Sequence, residues 1–334
     1  MKFIVLFFIV LWSNNSYSEG SFKIFISPSG NDYNEGLTNS YPIKTLSRAQ
    51  DVLELYNSGL PVEIHINQGT YYHQSVFWTY TNGHSITFTP VNFTNERPVF
   101  DGGGNINTWF TLSKSNRSSS KLKFRYIKVQ NYHTAMSFEG KRNYVSNWNS
   151  ENELYGMFFY RIGGKYTNFG NSTAAVRFVN SRSNSIANTH FVDILNNSAG
   201  ASAIHAIYFA HYSSHNEVLR NRFLRINGDP IKVRDESNYN YMADNRFYSS
   251  GRIAFYQGWY CNADTRGWNL DGSNPGGCTK STGECPSIGN VFRSNYLYGG
   301  YGGAIKVFDI REDDNYCGPL SSPRLRTSNN VKYY

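Results

Sequence analysis

Three stretches decide the fold: HNEVLRNRF (215–223), YNYMADNRF (239–247) and GNVFRSNYL (289–297). Laid over one another, they align Asn216, Asn240 and Asn290 at one offset and Asn221, Asn245 and Asn295 at another. The first step is 24 residues. The second is 50, which fits two coils or one coil with a long insertion. Turn residues recurring at a fixed offset with periods of about 20 to 50 residues mark a solenoid. Asn suits such turns because it tolerates the left-handed conformation and can hydrogen-bond to the Asn of the next coil. These six Asn are therefore read as structural. A second register points the same way. Ile231-Lys232-Val233-Arg234-Asp235 starts ten residues after Asn221, and Ile305-Lys306-Val307-Phe308-Asp309 starts ten residues after Asn295. The rival, an antiparallel sandwich or propeller, does not favour near-constant coil lengths with turns in register.

Outward from these repeats, composition agrees. The chain has 334 residues with 26 Tyr and 23 Phe, and Asn, Ser and Gly outweigh the helix formers. That balance favours strands and turns. Solenoid coils touch only their neighbours, so this length does not force two domains. The reading is one domain over 19–334, with an N-terminal cap at 19–60 and an insertion at 260–286 that interrupts the repeats.

The first residues, MKFIVLFFIVLWSNNSYSEG, combine Lys2, an apolar run from Phe3 to Trp12, and small residues at Ser16 and Ser18. The run is too short to span a bilayer, so 1–18 reads as a signal peptide and the protein as secreted or periplasmic. No later segment has the length of a membrane span. The four cysteines, Cys261, Cys278, Cys285 and Cys317, fall in the last quarter. In an exported chain they read as two disulfides of undetermined pairing. Zinc is the rival, and it lacks a C-x-x-C pair.

The formal charge is +8. A modest positive excess suits an acidic partner such as a uronate or sulfated glycan. Zinc-finger spacing, basic runs and nucleic-acid reading motifs are all missing, which argues against a nucleic-acid partner.

The opening segment reads as a strand with SPSGND, then YPIKTLSRAQDVL, then VEIHINQGTYY, then RPVFDGGG. Within it, Thr45 to Tyr56 carries Leu46, Ala49, Val52, Leu53 and Leu55 at helical spacing, with Thr45 or Ser47 as cap. This segment resembles the N-terminal cap of the pectate-lyase-like right-handed parallel β-helix superfamily of secreted polysaccharide lyases and glycosidases. No subfamily is matched. The resemblance covers residues 23–103 as motif and the rest as repeat pattern. It implies an all-β solenoid closed by a short helix.

Strand parity then locates a candidate site. Alternate side chains of a strand face opposite ways. If Ile207, Phe209, Ile231, Val233, Ile253, Phe255, Ile305 and Val307 point into the coil, then Tyr208, Lys232, Arg234, Arg252 and Tyr256 point out. His211 and Asp235 sit level at strand ends, and His205 borders the patch. With coils about 4.8 Å apart, these residues share one outer patch. Lys232, Arg234, Arg252, Tyr256 and His211 are read as catalytic, and Tyr208, His205 and Asp235 as substrate-binding. The structural reading of the same residues is plain: Lys232 and Arg234 solvate an exposed strand, and Asp235 and Asp309 bond a turn.

The cluster suits β-elimination from an acidic polysaccharide. A cation neutralises the carboxylate at C5, which acidifies the adjacent C–H. Lys, His or Tyr removes that proton, and another such group assists the leaving oxygen. In related β-helix lyases a Lys and an Arg on neighbouring coils share these roles, and Lys232 and Arg252 are spaced for that. Hydrolysis is the alternative, with Asp229, Asp235, Asp309, Asp313 or Asp314 as carboxylates. The other is a non-catalytic glycan-binding protein or adhesin. No cofactor is required on this reading. Some lyases of the fold require calcium, for which Glu312, Asp313 and Asp314 are the candidates. A monomer is expected.

Overall fold

The computed structural model describes residues 20–93, 96–115, 117–142, 144–258, 284–311 and 319–333. The leader, Cys261, Cys278, Cys317, Glu312, Asp313 and Asp314 lie outside the described residues. The strands form three long parallel sheets of ten, nine and eight strands, with a fourth sheet of three short strands. Each turn of the chain adds one strand to each long sheet, with the crossovers of a right-handed parallel β-helix. No helix among the described residues is long and apolar enough to cross a membrane.

The one α-helix among the described residues, Leu46–Tyr56, packs on the first strands of the stack. Thr45 lies in extended backbone, and its hydroxyl accepts from the Arg48 N–H at 3.1 Å, the cap read from the sequence. Leu46, Ala49, Val52 and Leu53 are buried. Leu55, expected with them, is 75% exposed, because the 3.6-residue period carries it off that stripe.

The Asn offsets are ladders. Side-chain amides donate coil to coil from Asn152 to Asn184 (2.8 Å), Asn184 to Asn216 (2.8 Å), Asn216 to Asn240 (2.9 Å) and Asn240 to Asn290 (3.1 Å). A second ladder joins Asn221 to Asn245 (3.1 Å), Asn245 to Asn295 (3.0 Å) and Asn295 to Asn330 (3.0 Å). The left-handed residue is not the Asn, as expected, but the one before it. His215, Arg220, Tyr239 and Asp244 all have φ between 55° and 59°. Each such residue costs on the order of 1–2 kcal/mol. The buried Asn behind it supplies the bonds that hold the corner.

Two readings change. The 50-residue step is one coil with an insertion, since Tyr241 pairs directly with Val291 and Met242 with Phe292. The second register is not a structural one. Lys232 pairs with Tyr256, and Tyr256 with Asp309, so Lys306 sits opposite Ile253 rather than in line with Lys232. The Gly299–Gly303 turn delays the last strand and shifts its resemblance to Ile231–Asp235 out of step.

Inside, rings stack in files, such as Phe159, Phe191, Phe223 and Phe247, with centroids 4.7–5.2 Å apart. Ile207, Phe209, Ile231, Val233, Phe255 and Ile305 are in the core as expected. Val307 is only partly buried against it, and Ile253 is outside it. The cause is a corner at the start of the third sheet. Ala135 with Met136, Ala175 with Val176, Ala206 with Ile207, and Ala254 with Phe255 all join the core as consecutive pairs. Two successive residues thus face inward, and parity counted back from Phe255 fails at Ile253.

Candidate active site

The third sheet, running from Val76–Trp78 to Lys306–Arg311, carries the predicted patch on its outer face. One outward column runs Arg177, Tyr208, Lys232, Tyr256 and Asp309 in strict register. Beside it lies a cleft of about 480 Å³. His205, Tyr208, Lys232, Arg234, Arg252 and Tyr256 line it together with Asp229 and Arg311, and Ser202 and Ala203 of the Ser198–Ala203 turn close one wall.

The patch is outward, as expected, but its central column is not exposed. Lys232 is 5% exposed and Tyr256 7%. The expectation of a solvated strand is corrected here, and a purely solubilising role does not fit a lysine at that depth. The Lys232 Nζ lies 3.5 Å from the centroid of the Tyr256 ring. A cation on an aromatic face is held by the ring quadrupole, more strongly where water is excluded.

Arg234 is tied down. Its Nε donates to Glu284 Oε2 at 2.8 Å, its Nη2 donates to Glu284 Oε1, and its Nη1 donates to the Tyr208 hydroxyl oxygen at 3.0 Å. Glu284 is fully buried. A guanidinium fork closed on a buried carboxylate serves as a fixed element of the site and is poorly placed to seize a substrate carboxylate. Burial raises the Tyr208 pKa, with the Arg234 charge opposing, so the phenol keeps its proton. Because its oxygen accepts from Arg234, its hydrogen is directed elsewhere.

His205 Nδ1 donates to the Asp229 carbonyl at 2.7 Å, and its ring stacks on that of Tyr208. Burial, reinforced by Lys232 and Arg234, pushes its pKa down to about 3. It is a neutral imidazole whose Nε2 is an acceptor. Burial also raises the Asp229 pKa, against the Ile253 N–H that binds its Oδ1 at 3.1 Å. Asp229 is the one carboxylate lining the cleft among the described residues.

His211 and Asp235 do not line the cleft. They form a buried hydrogen-bonded pair at the strand ends, both in the left-handed conformation. Burial lowers the His211 pKa against the pull of Asp235. His211, Asp235 and Glu284 have donor atoms within 4.8 Å of one another. Arg234 and the His211–Asp235 bond already satisfy these groups.

Sequence reading missed Glu284 and Arg311. Glu284 sits at the end of the insertion, 50 residues from Arg234, with no periodic signal to connect them. Arg311 enters through the shifted register of the last strand, opposite Gly258.

No family model matches the chain, and no curated protein matches it. Solved structures do. An alginate lyase from Paenibacillus sp. str. FPU-7 superposes with a TM-score of 0.54 at 13% identity, over 86% of this chain and 93% of that one. A rhamnogalacturonan lyase gives 0.44 at 11% identity, over 93% and 87%. A glycoside hydrolase gives 0.46 at 9% identity, over 93% and 96%. At such identities the likeness concerns the fold alone, the right-handed parallel β-helix.

Proposed function

We propose that the third-sheet cleft binds an acidic polysaccharide and cleaves it by β-elimination. The observation that carries the reading is the Tyr208–Lys232–Tyr256 column, in register and nearly sealed from water, with Arg252 exposed at the rim. A solved protein of the same fold is an alginate lyase, which is in keeping with it.

In this reading Arg252 neutralises the C5 carboxylate, which acidifies the C5–H. Tyr256, as the phenolate, takes that proton and becomes the phenol. The Lys232 ammonium on the ring face stabilises the negative charge that the phenolate carries before the transfer. The C5–H electron pair becomes the C4–C5 double bond as the C4–O bond breaks. Tyr208, oriented by Arg234, protonates the leaving oxygen. One product carries the unsaturated uronate, and the other a new hydroxyl. No cofactor enters the balance. Hydrolysis needs two carboxylates about the scissile bond. Among the described residues Asp229 is the one carboxylate lining the cleft, which favours elimination over the hydrolase reading.

Export through the 1–18 leader is part of this proposal, as are two disulfides among Cys261, Cys278, Cys285 and Cys317. Cys285, the described member, is buried and carries no free thiol. The test is incubation of mature protein with a panel of polyuronates and neutral glycans, read at the ultraviolet absorbance of the unsaturated product. Absorbance should rise with one acidic polymer. Binding without that product would replace the lyase reading with glycan recognition alone, and reducing ends without the chromophore would replace it with hydrolysis.

A further inference from the structure

The second sheet has an outward column of its own. Lys128, Phe158, His190, Arg222, Arg246 and Tyr296 stand opposite one another on six successive coils. Arg222 and Arg246 are exposed and directly opposed in adjacent strands. Like charges facing across a sheet destabilise it. Neither is in an ion pair among the described residues. His190 above them is held neutral by burial first, then by the charges of Arg222 and Arg97.

A groove of about 600 Å³ runs along this column, and Arg220 joins its wall. Three guanidiniums line the groove against one carboxylate, Asp244. The Arg246 guanidinium lies 5.7 Å from the centre of the Tyr296 ring. At the other end, Lys128 lies 5.8 Å from Phe158 and 5.0 Å from Tyr160. Cations and ring faces thus succeed one another along the solenoid axis for about 24 Å, at one coil step of about 4.8 Å.

We infer that this face is a second, non-catalytic binding track for a linear acidic glycan. A polymer with one anionic group per pyranose ring has a repeat comparable to the coil step, so several charges can be met in register. A ring face takes either a sugar or a nucleobase, and the tyrosine file of the same sheet favours the sugar. Tyr248, Tyr298 and Tyr333 stack on one another with centroids 4.6 and 4.5 Å apart and planes 5° and 2° apart. The inner faces of that file are closed to an inserted base, and its hydroxyl edges suit a sugar's hydroxyls. The inference is independent of whether the third-sheet cleft is catalytic.

The test uses full-length mature protein carrying Tyr256→Phe, so that the probe is not consumed. Binding of a polyuronate oligomer, a dextran oligomer and a single-stranded oligonucleotide is measured across a salt series. Adding Arg222→Gln and Arg246→Gln should weaken polyuronate binding about tenfold or more and reduce the slope of log affinity on log salt by about one to two. Adding Arg252→Gln instead should leave that component in place. Circular dichroism melts establish that each variant is folded. Unchanged polyuronate binding in the double variant overturns the inference, as does equal binding of dextran. Loss of all binding with Arg252→Gln shows that the cleft is the sole site. Tighter binding of the oligonucleotide overturns the glycan assignment in favour of a nucleic acid.

Discussion

Two outer faces of one coil stack carry the same residue types in register, and they treat them in opposite ways. On the third sheet, Tyr208, Lys232 and Tyr256 are nearly sealed, and Arg234 is locked between Glu284 and Tyr208. On the second sheet, Arg222, Arg246 and Tyr296 form a column whose guanidiniums are exposed and in no ion pair among the described residues. A solenoid supplies the alignment on both faces without effort, because every coil repeats the last. What differs is the added structure. The Ser198–Ala203 turn and the Glu284–Ser287 return from the insertion are built beside the third-sheet column, and nothing comparable among the described residues covers the second. Exclusion of water is what strengthens fixed charges and cation–ring contacts. In the proposed reading the covered face is therefore the one suited to chemistry, and the open face to salt-sensitive binding.

The largest effect expected from this contrast is on turnover. Tyr256→Phe should lower the rate of unsaturated-product formation by roughly 10²–10⁴-fold with substrate affinity nearly unchanged, as for loss of a proton-transferring group. Lys232→Ala should fall in the same range. Lys306→Ala is the control, because Lys306 is exposed and does not line the cleft. Equal losses for Lys232→Ala and Lys306→Ala would break the distinction between a focused site and a generally basic surface.

Next is stability. Removing one partner of a buried ion pair strands the other, at a cost of about 3 kcal/mol or more. Glu284→Ala should lower the unfolding free energy by about that amount in urea titration. Replacing both Glu284 and Arg234 with Leu should recover part of the loss. If the single variant melts like wild type, the locked geometry of the third sheet is wrong.

These residues also show what a sequence can reveal. The Asn ladders were legible because a solenoid repeats its corners, so equal offsets in Asn216, Asn240 and Asn290 mean equal places in space. The outward direction of Tyr208, Lys232 and Tyr256 followed from parity for the same reason. Their burial did not, because it comes from side chains and turns outside the repeat. Glu284 was invisible on that account. Ile253 was misassigned because two inward residues follow each other at the corner, and the chain carries no mark of that except the small Ala254. The likeness of Ile305–Asp309 to Ile231–Asp235 misled, since a longer turn moved the second strand out of step. Periodicity reports on the repeat and says nothing about what departs from it.

A third contrast is in acid. The unfolded-state pKa of His205 is near 6.5, and in the fold it is pushed down to about 3. Between these values the unfolded chain binds a proton that the folded chain refuses. Stability is therefore full above about pH 6.5 and falls as pH drops, by at most about 1.4 kcal/mol per unit for this one group. His211 acts with the same sign, because burial lowers its pKa. Asp229, raised by burial, acts with the opposite sign. Urea melts at pH 7 and pH 5 should show a smaller difference in His205→Gln than in wild type. An unchanged difference would mean that His205 is accessible to protons in the folded cleft.

The smallest effect separates the two faces most sharply. Removing a cation from the third sheet should cost stability, whereas removing one from the second should not. Arg222 and Arg246 face each other across adjacent strands, with His190 above and no ion pair between the column and a carboxylate among the described residues. Their repulsion is worth a few tenths of a kcal/mol, up to about 1 kcal/mol. Arg222→Gln should therefore leave the unfolding free energy unchanged or raise it by about 0.2–0.5 kcal/mol at low ionic strength. Because both guanidiniums are exposed, salt screens them, and the gain should vanish near 1 M, where the screening length is about 3 Å. A gain that persists in high salt would trace to packing rather than charge. A clear loss of stability would mean that the second-sheet column is held by interactions like those of the third, and the distinction between a built cleft and an open track would fail.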